Sequence, residues 1–227
     1  MNINLKNPKF FEKHPVAKDI LSLAGFVIAI VLCTMFLNTY VYRSYNVVGS
    51  SMENTLKNDD RVVVNRAAVS WAHFLGQDYI PERGQIVVFM NEDEQKVREY
   101  KSQGIENPMT CSVPNNVSDQ YIIKRAIAFP GERVVVKDGI MTIYNDEHPE
   151  GFVYDAEWRK SSTDGPKDYT SGEVDTIVPE GELFVSGDNR EGSNSWDSRN
   201  GLGTIPYCRI IGPVIFRLFP FDSMRTF

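Results

Sequence analysis

The chain has 227 residues, 42% of them hydrophobic and 24% charged, with a formal net charge of −6. This composition describes a folded chain and not a disordered one, and nothing in the acidic balance argues for nucleic acid, so none is expected as a partner. The charge is also uneven. Residues 1–19 carry Lys6, Lys9, Lys13 and Lys18 against Glu12 and Asp19, a balance of +2 that leaves −8 on the remainder, an asymmetry that points to two compartments.

Residues 20–37 form one apolar run of 18 residues without a charge. About 20 residues cross a bilayer, and the flanks supply the rest. Tyr40 and Tyr42 lie at the exit end, where aromatic side chains favour the headgroup level. The pattern predicts a tail over 1–17, a transmembrane helix over 18–42 and a domain over 43–227. Four lysines precede the run, whereas Arg43 alone is basic between it and Lys57. The N-terminus is therefore expected in the cytoplasm, with the domain outside, at the cell (plasma) membrane. A cleaved signal peptide fits poorly, because the bulky Asn38-Thr39-Tyr40 follows the run instead of small residues. The apolar stretch 210–221 contains Arg217 and Pro220 and is too short to span.

The body reads as mainly β. Segments 61–64, 85–89, 121–127, 133–136, 140–144, 182–186 and 210–218 are rich in β-branched residues and bounded by turn residues. Asp138-Gly139 between two such runs predicts a tight hairpin. One helix is predicted over 66–75, closed by Gly76. The polar stretches 91–120 and much of 146–176 lack periodicity and read as long loops. Cys33 lies in the apolar run, and Cys111 and Cys208 are expected as thiols, with a disulfide as the alternative if the domain is extracytoplasmic. No cysteine pair has metal-ligand spacing, so no metal or cofactor is expected.

The three histidines are badly placed for a Ser-His-Asp triad: His14 precedes the anchor, His73 lies in the expected helix, and His148 in a turn. A hydrolase built here needs another base. Lysine serves once its amine is neutral, and burial among apolar groups can lower its pKa from ~10.4 by roughly 3–5 units. Lys124 lies in Y-I-I-K-R-A-I-A-F-P-G, where strand alternation lets it be buried while Arg125 is solvated. Composition alone favours an ordinary exposed strand lysine.

Three motifs in order shift that reading. Residues 45–64, Y-N-V-V-G-S-S-M-E-N-T-L-K-N-D-D-R-V-V-V, resemble the nucleophile region of type I signal peptidases, whose core is Ser-Met-x-Pro-Thr-Leu. Residues 121–134 resemble that family's Lys-Arg-x-x-x-x-Pro-Gly-Asp region. Residues 187–199, G-D-N-R-E-G-S-N-S-W-D-S-R, resemble its Gly-Asp-Asn-Arg-x-x-Ser-x-Asp-Ser-Arg signature. The single N-terminal anchor resembles the Gram-positive form.

The resemblance implies a β-rich catalytic core with a small inserted β region near 138–180, behind one transmembrane helix. It implies a monomeric endopeptidase that removes signal peptides from secretory precursors at the lipid bilayer, after small residues at −1 and −3. Ser51 is implied as nucleophile, Lys124 as base and the Ser51 backbone N–H as oxyanion donor, since Gly49 stands where Gram-negative members carry a serine donor. Tyr45, Val47, Met52, Leu56, Ile122 and Ile123 fall where the family lines shallow apolar pockets, with ordinary core as the alternative for each. Asp188, Asp197 and Arg199 are implied as structural support.

The chain departs from the family in three places. Asn54 replaces proline, Glu132 replaces aspartate, and the third motif is two residues longer. That length leaves open whether Ser195 or Ser193 orients the lysine; Ser195 preserves the spacing to Asp197-Ser198-Arg199, with the extra residues bulging at 191–193. A self-cleaving repressor would share the dyad but lack the anchor, and an inactive tethered domain would have no need to keep both Ser51 and Lys124.

Overall fold

The computed structural model describes residues 15–53, 55–91, 120–154 and 169–227. Asn54, Cys111 and most of the two expected long loops lie outside the described residues. The chain divides into two units, Met1–Val41 and Tyr42–Phe227.

In the first unit, helix α1 (Pro15–Phe36) ends in a single π-helical turn, Leu37–Val41. The apolar segment Lys18–Val41 has 24 residues. At ~1.5 Å per residue it is about 36 Å long, enough for a hydrocarbon core of ~30 Å. Its side chains from Lys18 to Tyr40 are exposed among the described residues, and a helix long enough and apolar on every side is consistent with a membrane span.

The second unit is antiparallel β. Its strands are β1 (Tyr42–Asn46), β2 (Arg61–Asn65), β3 (Ile86–Asn91), β4 (Gln120–Ala128), β5 (Arg133–Lys137), β6 (Ile140–Tyr144), β7 (Phe152–Val153), β8 (Val174–Ile177), β9 (Glu182–Ser186), β10 (Ile205–Pro206), β11 (Ile210–Phe219) and β12 (Arg225–Thr226), with helix α2 (Ala67–Phe74) after β2. The larger sheet runs β1-β2-β11-β3-β4-β9-β10, with β12 on β11. The smaller runs β7-β6-β5-β8 and is inserted between β4 and β9. It begins at Arg133, after the turn at Pro130 and Gly131.

Local chemistry explains the elements. Alternation buries Val62 and Val64 on β2, Val134 and Val136 on β5, and Met141 and Ile143 on β6. Asp138 (φ 52°) and Gly139 (φ 83°) close the β5–β6 hairpin, both with the positive φ that a type I′ turn demands. Asn65 Oδ1 accepts from the Ala67 N–H at the start of α2, and Gly76 follows the helix at φ 70°. The central strand β3 serves two cores. Ile86 and Val88 pack with Val47, Met52 and Leu56, and Val87 and Phe89 pack with Val69, Ala126 and Ile210. The larger sheet is thus covered on both faces, which steadies the strand that carries Lys124. Cys33 is a free thiol. Cys208 is disulfide-bonded, a correction to the expected thiol.

Candidate active site

Lys124 is the fifth residue of β4, paired to Val87 of β3. Ser51 sits in a turn after β1 whose backbone is held from several sides. The Val47 N–H donates to Asp60 O and the Asp59 N–H to Val47 O, and Gly49, at φ 95°, donates to Asn58 Oδ1. The Leu56 and Thr55 N–H groups donate to Met52 O. Across the turn, the Asn189 N–H donates to Ser51 O at 3.0 Å, and its Nδ2 donates to Ser50 O at 3.1 Å. These bonds lock consecutive peptides of the turn and so fix the direction of the Ser51 side chain. Sequence reasoning did not single out Asn189, although it follows Asp188 in the third motif.

The two ends meet: Lys124 Nζ donates to Ser51 Oγ at 2.6 Å. Among the described residues this is the one hydrogen bond that Lys124 Nζ makes. Burial lowers the Lys124 pKa to about 8, because a low-dielectric surrounding disfavours the ammonium. The carboxylates of Asp197 and Asp188 push the other way, and Arg199 adds to the lowering. The Ser51 backbone N–H donates to no described residue, which leaves it available to an incoming oxyanion.

The third motif folds around a buried carboxylate. Asp197 Oδ2 accepts from Ser195 Oγ at 2.6 Å, from the Gly187 N–H at 2.8 Å and from an Arg199 guanidinium nitrogen at 2.8 Å. Oδ1 accepts from the Arg199 N–H and Nε, each at 3.0 Å. Burial raises the Asp197 pKa, but the Arg199 charge and the converging hydrogen bonds outweigh it and hold the carboxyl below its ordinary range. Asp188 forms a second pair, taking a fork from Arg125 at 2.7 and 2.5 Å. This pairing explains why Arg125 is buried alongside Lys124 instead of solvated, as alternation alone suggests. A bidentate carboxylate satisfies the guanidinium inside the protein.

Ser195 is buried and Ser193 is exposed. A Cβ at Gly187 would collide with both Ser195 Oγ and the Ser51 carbonyl, so glycine there lets the third motif close on the Ser51 turn. No hydrogen bond links Ser195 to Lys124; the Ser195 hydroxyl donates to Asp197, whose charge acts on Lys124. Gly192, at φ 54°, takes the bend in the longer segment, and Ser171 Oγ, from the loop before β8, donates to the carbonyls of Arg190 and Gly192. On this geometry Ser195→Ala should slow turnover by roughly 10- to 100-fold, the loss of one buried hydrogen bond of ~1–3 kcal/mol in a network that sets the lysine's field. Ser193→Ala should leave kcat within about twofold, as expected for an exposed side chain. Single-turnover kinetics of the two variants separates them, and the reverse order of effects would refute this arrangement.

A cleft of about 460 Å³ opens beside Ser51 and Lys124. Of the expected pocket residues, Tyr45, Val47, Ile122 and Ile123 line it. Met52 and Leu56 do not: they are 1% and 0% exposed and pack in the core with Val47, Val62 and Val88. They back the cleft wall because the turn rolls their side chains inward. The cleft is also lined by Val48, Tyr121, Asn194 and Trp196. Asn194 and Trp196 are exposed and alternate in the chain with the buried Ser195 and Asp197, so they flank the buried positions of the third motif. The Tyr45 and Tyr121 rings lie 5.0 Å apart under the Arg43 guanidinium. Among the described residues no group of three or more His, Cys, Asp or Glu is arranged to hold a metal.

The family described as "Signal peptidase, peptidase S26" matches over residues 20–219. The chain is similar to signal peptidase I S of Bacillus subtilis (strain 168), 30% identical over 208 residues, 92% of this chain and 94% of that one. It is similar also to a signal peptidase I of Bacillus amyloliquefaciens, 32% identical over 199 residues, 88% of this chain and 85% of that one. A solved signal peptidase I from Enterococcus faecalis V583 aligns with a TM-score of 0.33 and 23% identity, over 59% of this chain and 96% of that one.

Proposed function

The chain belongs to the signal peptidase family, peptidase S26, and we propose that within it Ser51 is the nucleophile and Lys124 its general base. The enzyme is a serine endopeptidase that removes signal peptides from secretory precursors. One observation carries the assignment of roles: Lys124 Nζ lies 2.6 Å from Ser51 Oγ, at the end of a cleft, with the amine buried enough to be partly neutral near physiological pH.

In the reactive state the neutral amine accepts the Ser51 hydroxyl proton. Oγ attacks the scissile carbonyl carbon, and the oxyanion meets the Ser51 N–H. The ammonium then returns its proton to the departing amine, leaving an acyl-enzyme on Oγ. Water, deprotonated by Lys124, attacks the ester carbonyl and releases the signal peptide's new carboxylate. Asp188, Asp197 and Arg199 hold the frame and tune the lysine without touching the reacting atoms.

The cleft wall formed by Tyr45, Val47, Ile122 and Ile123 admits small side chains and excludes large ones. Incubation of the purified full chain with a secretory precursor should cut after Ala, Gly or Ser at −1. Replacing that residue by Phe should reduce kcat/KM by about 100-fold or more, through steric rejection in a packed site. Mapping the new N-terminus by mass spectrometry checks this, and efficient cleavage after Phe or Leu would remove the reading.

The enzyme is membrane-anchored by α1. We infer further that residues 1–17 are cytoplasmic, that 18–42 span the plasma membrane and that 43–227 form a monomeric extracytoplasmic domain. The lysine-rich tail supports this orientation, as does the disulfide at Cys208, a bond that persists in oxidising compartments. Protease added outside intact spheroplasts should digest the domain and spare an N-terminal epitope; a protected domain would overturn the orientation.

A further inference from the structure

Two strands carry the walls of the cleft away from Ser51 and Lys124. Tyr45 lies on β1 and Tyr121 on β4, and both line the cleft. Their rings approach to 5.0 Å between centroids, so the walls meet at this end. Arg43 is two residues from Tyr45 on β1 and therefore lies on the same side of the strand. Its guanidinium carbon is 5.4 Å from the centre of the Tyr45 ring and 5.6 Å from that of the Tyr121 ring. A guanidinium held over ring faces keeps N–H groups at its edge for another partner.

No carboxylate of the cleft supplies that partner. Among the described residues no ion pair involves Arg43 or Arg66, and neither Asp nor Glu lines the cleft. Burial raises the Tyr45 pKa, and the Arg43 and Arg66 charges act against it, so two cations bear on this end. The carboxylates nearest the reaction centre are already committed, Asp197 to Arg199 and Asp188 to Arg125. A chain of net charge −6 thus keeps one end of its cleft positive. Strand spacing gives the place of that end along a substrate. Tyr121 precedes Lys124 by three residues of β4, about 10 Å at ~3.3 Å per residue. An extended precursor advances at the same rate, so with its −1 residue beside Lys124 it passes Tyr121 at about −4.

We propose that Arg43, Tyr45 and Tyr121 form a cationic subsite at the upstream end of the cleft, which takes an acidic side chain of the precursor at −4 to −6. A carboxylate matches the guanidinium fork, and the two rings fix where that fork is held. The inference deepens the proposed cleavage reaction and rests on the cleft holding the residues that precede the cut.

The test uses the full chain in a non-ionic detergent, with peptides that share one cut site and carry Asp, Ala or Lys at −4, −5 or −6. At one of these positions kcat/KM should fall in the order Asp, Ala, Lys. The spread between Asp and Lys should be roughly three- to tenfold, an attraction replaced by a repulsion between partly exposed charges. It should shrink toward unity in about 1 M salt, where the screening length is ~3 Å. Arg43→Gln should flatten the order and Arg43→Glu should invert it. Each comparison is made within one enzyme, so a general loss of activity in a variant cancels. Equal kcat/KM for the three residues at every position overturns the proposal, and so does an order that survives Arg43→Glu. A binding arm is independent of the chemistry: the same peptides, dye-labelled, should bind the Ser51→Ala chain with Kd in the same order, read by fluorescence anisotropy. Cleavage after small residues without charge preference removes the subsite and leaves the peptidase reading intact. Charge-selective binding by a chain that cuts none of the peptides does the reverse, and a chain that neither binds nor cuts them overturns both.

Discussion

Lys124→Arg abolishes precursor cleavage, by on the order of 10³-fold or more, the contribution of a positioned base together with the covalent route that depends on it. Arginine preserves the positive charge and most of the stem, but its guanidinium stays protonated at any working pH and cannot accept the Ser51 proton. Ser51→Ala should be equally silent, and the double variant no worse than either single one, because the two residues act as one unit. The pH profile carries the sign. A free lysine with a pKa near ~10.4 is about 0.04% neutral at pH 7. With its pKa lowered to about 8 by burial, Lys124 is roughly 10% neutral there. The base works only when neutral, so kcat/KM should rise with pH, about tenfold per unit below the midpoint, and level off above about 8. Stopped assays across the range on wild type and Lys124→Arg check both claims. A Lys124→Arg enzyme with near-normal turnover, or a profile that falls as pH rises toward 8, would refute the dyad.

Asp197→Ala lowers the stability of the folded domain by about 3–5 kcal/mol, the cost of leaving a buried charge without its partner. Asp197 and Arg199 have side chains with no exposure at all and face each other at 2.8 Å. Removing the carboxylate leaves the buried Arg199 guanidinium with only neutral acceptors, the carbonyls of Ser171 and Arg190, and takes the acceptor from the Gly187 N–H. For a domain of this size the loss corresponds to a fall in Tm of roughly 6–20 °C, readable by thermal melting of the full chain in detergent. Asp197→Asn keeps the volume and one acceptor, so it should cost less. It should also move the midpoint of the pH–rate profile downward, because Asp197 holds the Lys124 pKa up. The linkage has a definite direction. The folded carboxyl sits below its ordinary range, so its stabilisation is complete above the unfolded value near ~3.9 and is lost as pH falls below it. A variant that melts within about 1 °C of wild type would show that the Ser171 and Arg190 carbonyls suffice for Arg199; at roughly 2–4 °C per kcal/mol such a shift is well under 1 kcal/mol.

Stability and catalysis meet in these residues. Gly187 donates to Asp197 and, for lack of a Cβ, admits Ser195 beside the Ser51 carbonyl, while Asn189 pins the same turn from the other side. Ser51, the proposed nucleophile, is therefore held by the third motif, whose own order depends on two buried ion pairs, Asp197–Arg199 and Asp188–Arg125. Damage to either pair should reach the reaction through misplacement of Ser51 as well as through the field on Lys124.

Sequence alone determined what depends on short-range chemistry. An uncharged run of bilayer length identified α1, because the cost of charge in hydrocarbon is independent of fold. Asp138-Gly139 identified the β5–β6 turn, because few residues accept its backbone angles. The three ordered motifs identified the family. Tertiary structure decided what alternation leaves open. Period two states that Lys124 and Arg125 face opposite ways, yet both faces of β4 are covered, so Arg125 is buried too and needs Asp188. The same covering sends Met52 and Leu56 into the core while Asn194 and Trp196 line the cleft. The Ser195 hydroxyl turns to Asp197 because a buried carboxylate is a stronger acceptor than any neutral partner within reach. Which face of a strand meets solvent, and which acceptor a buried hydroxyl finds, are set by segments remote in the chain, and only their assembly supplies them.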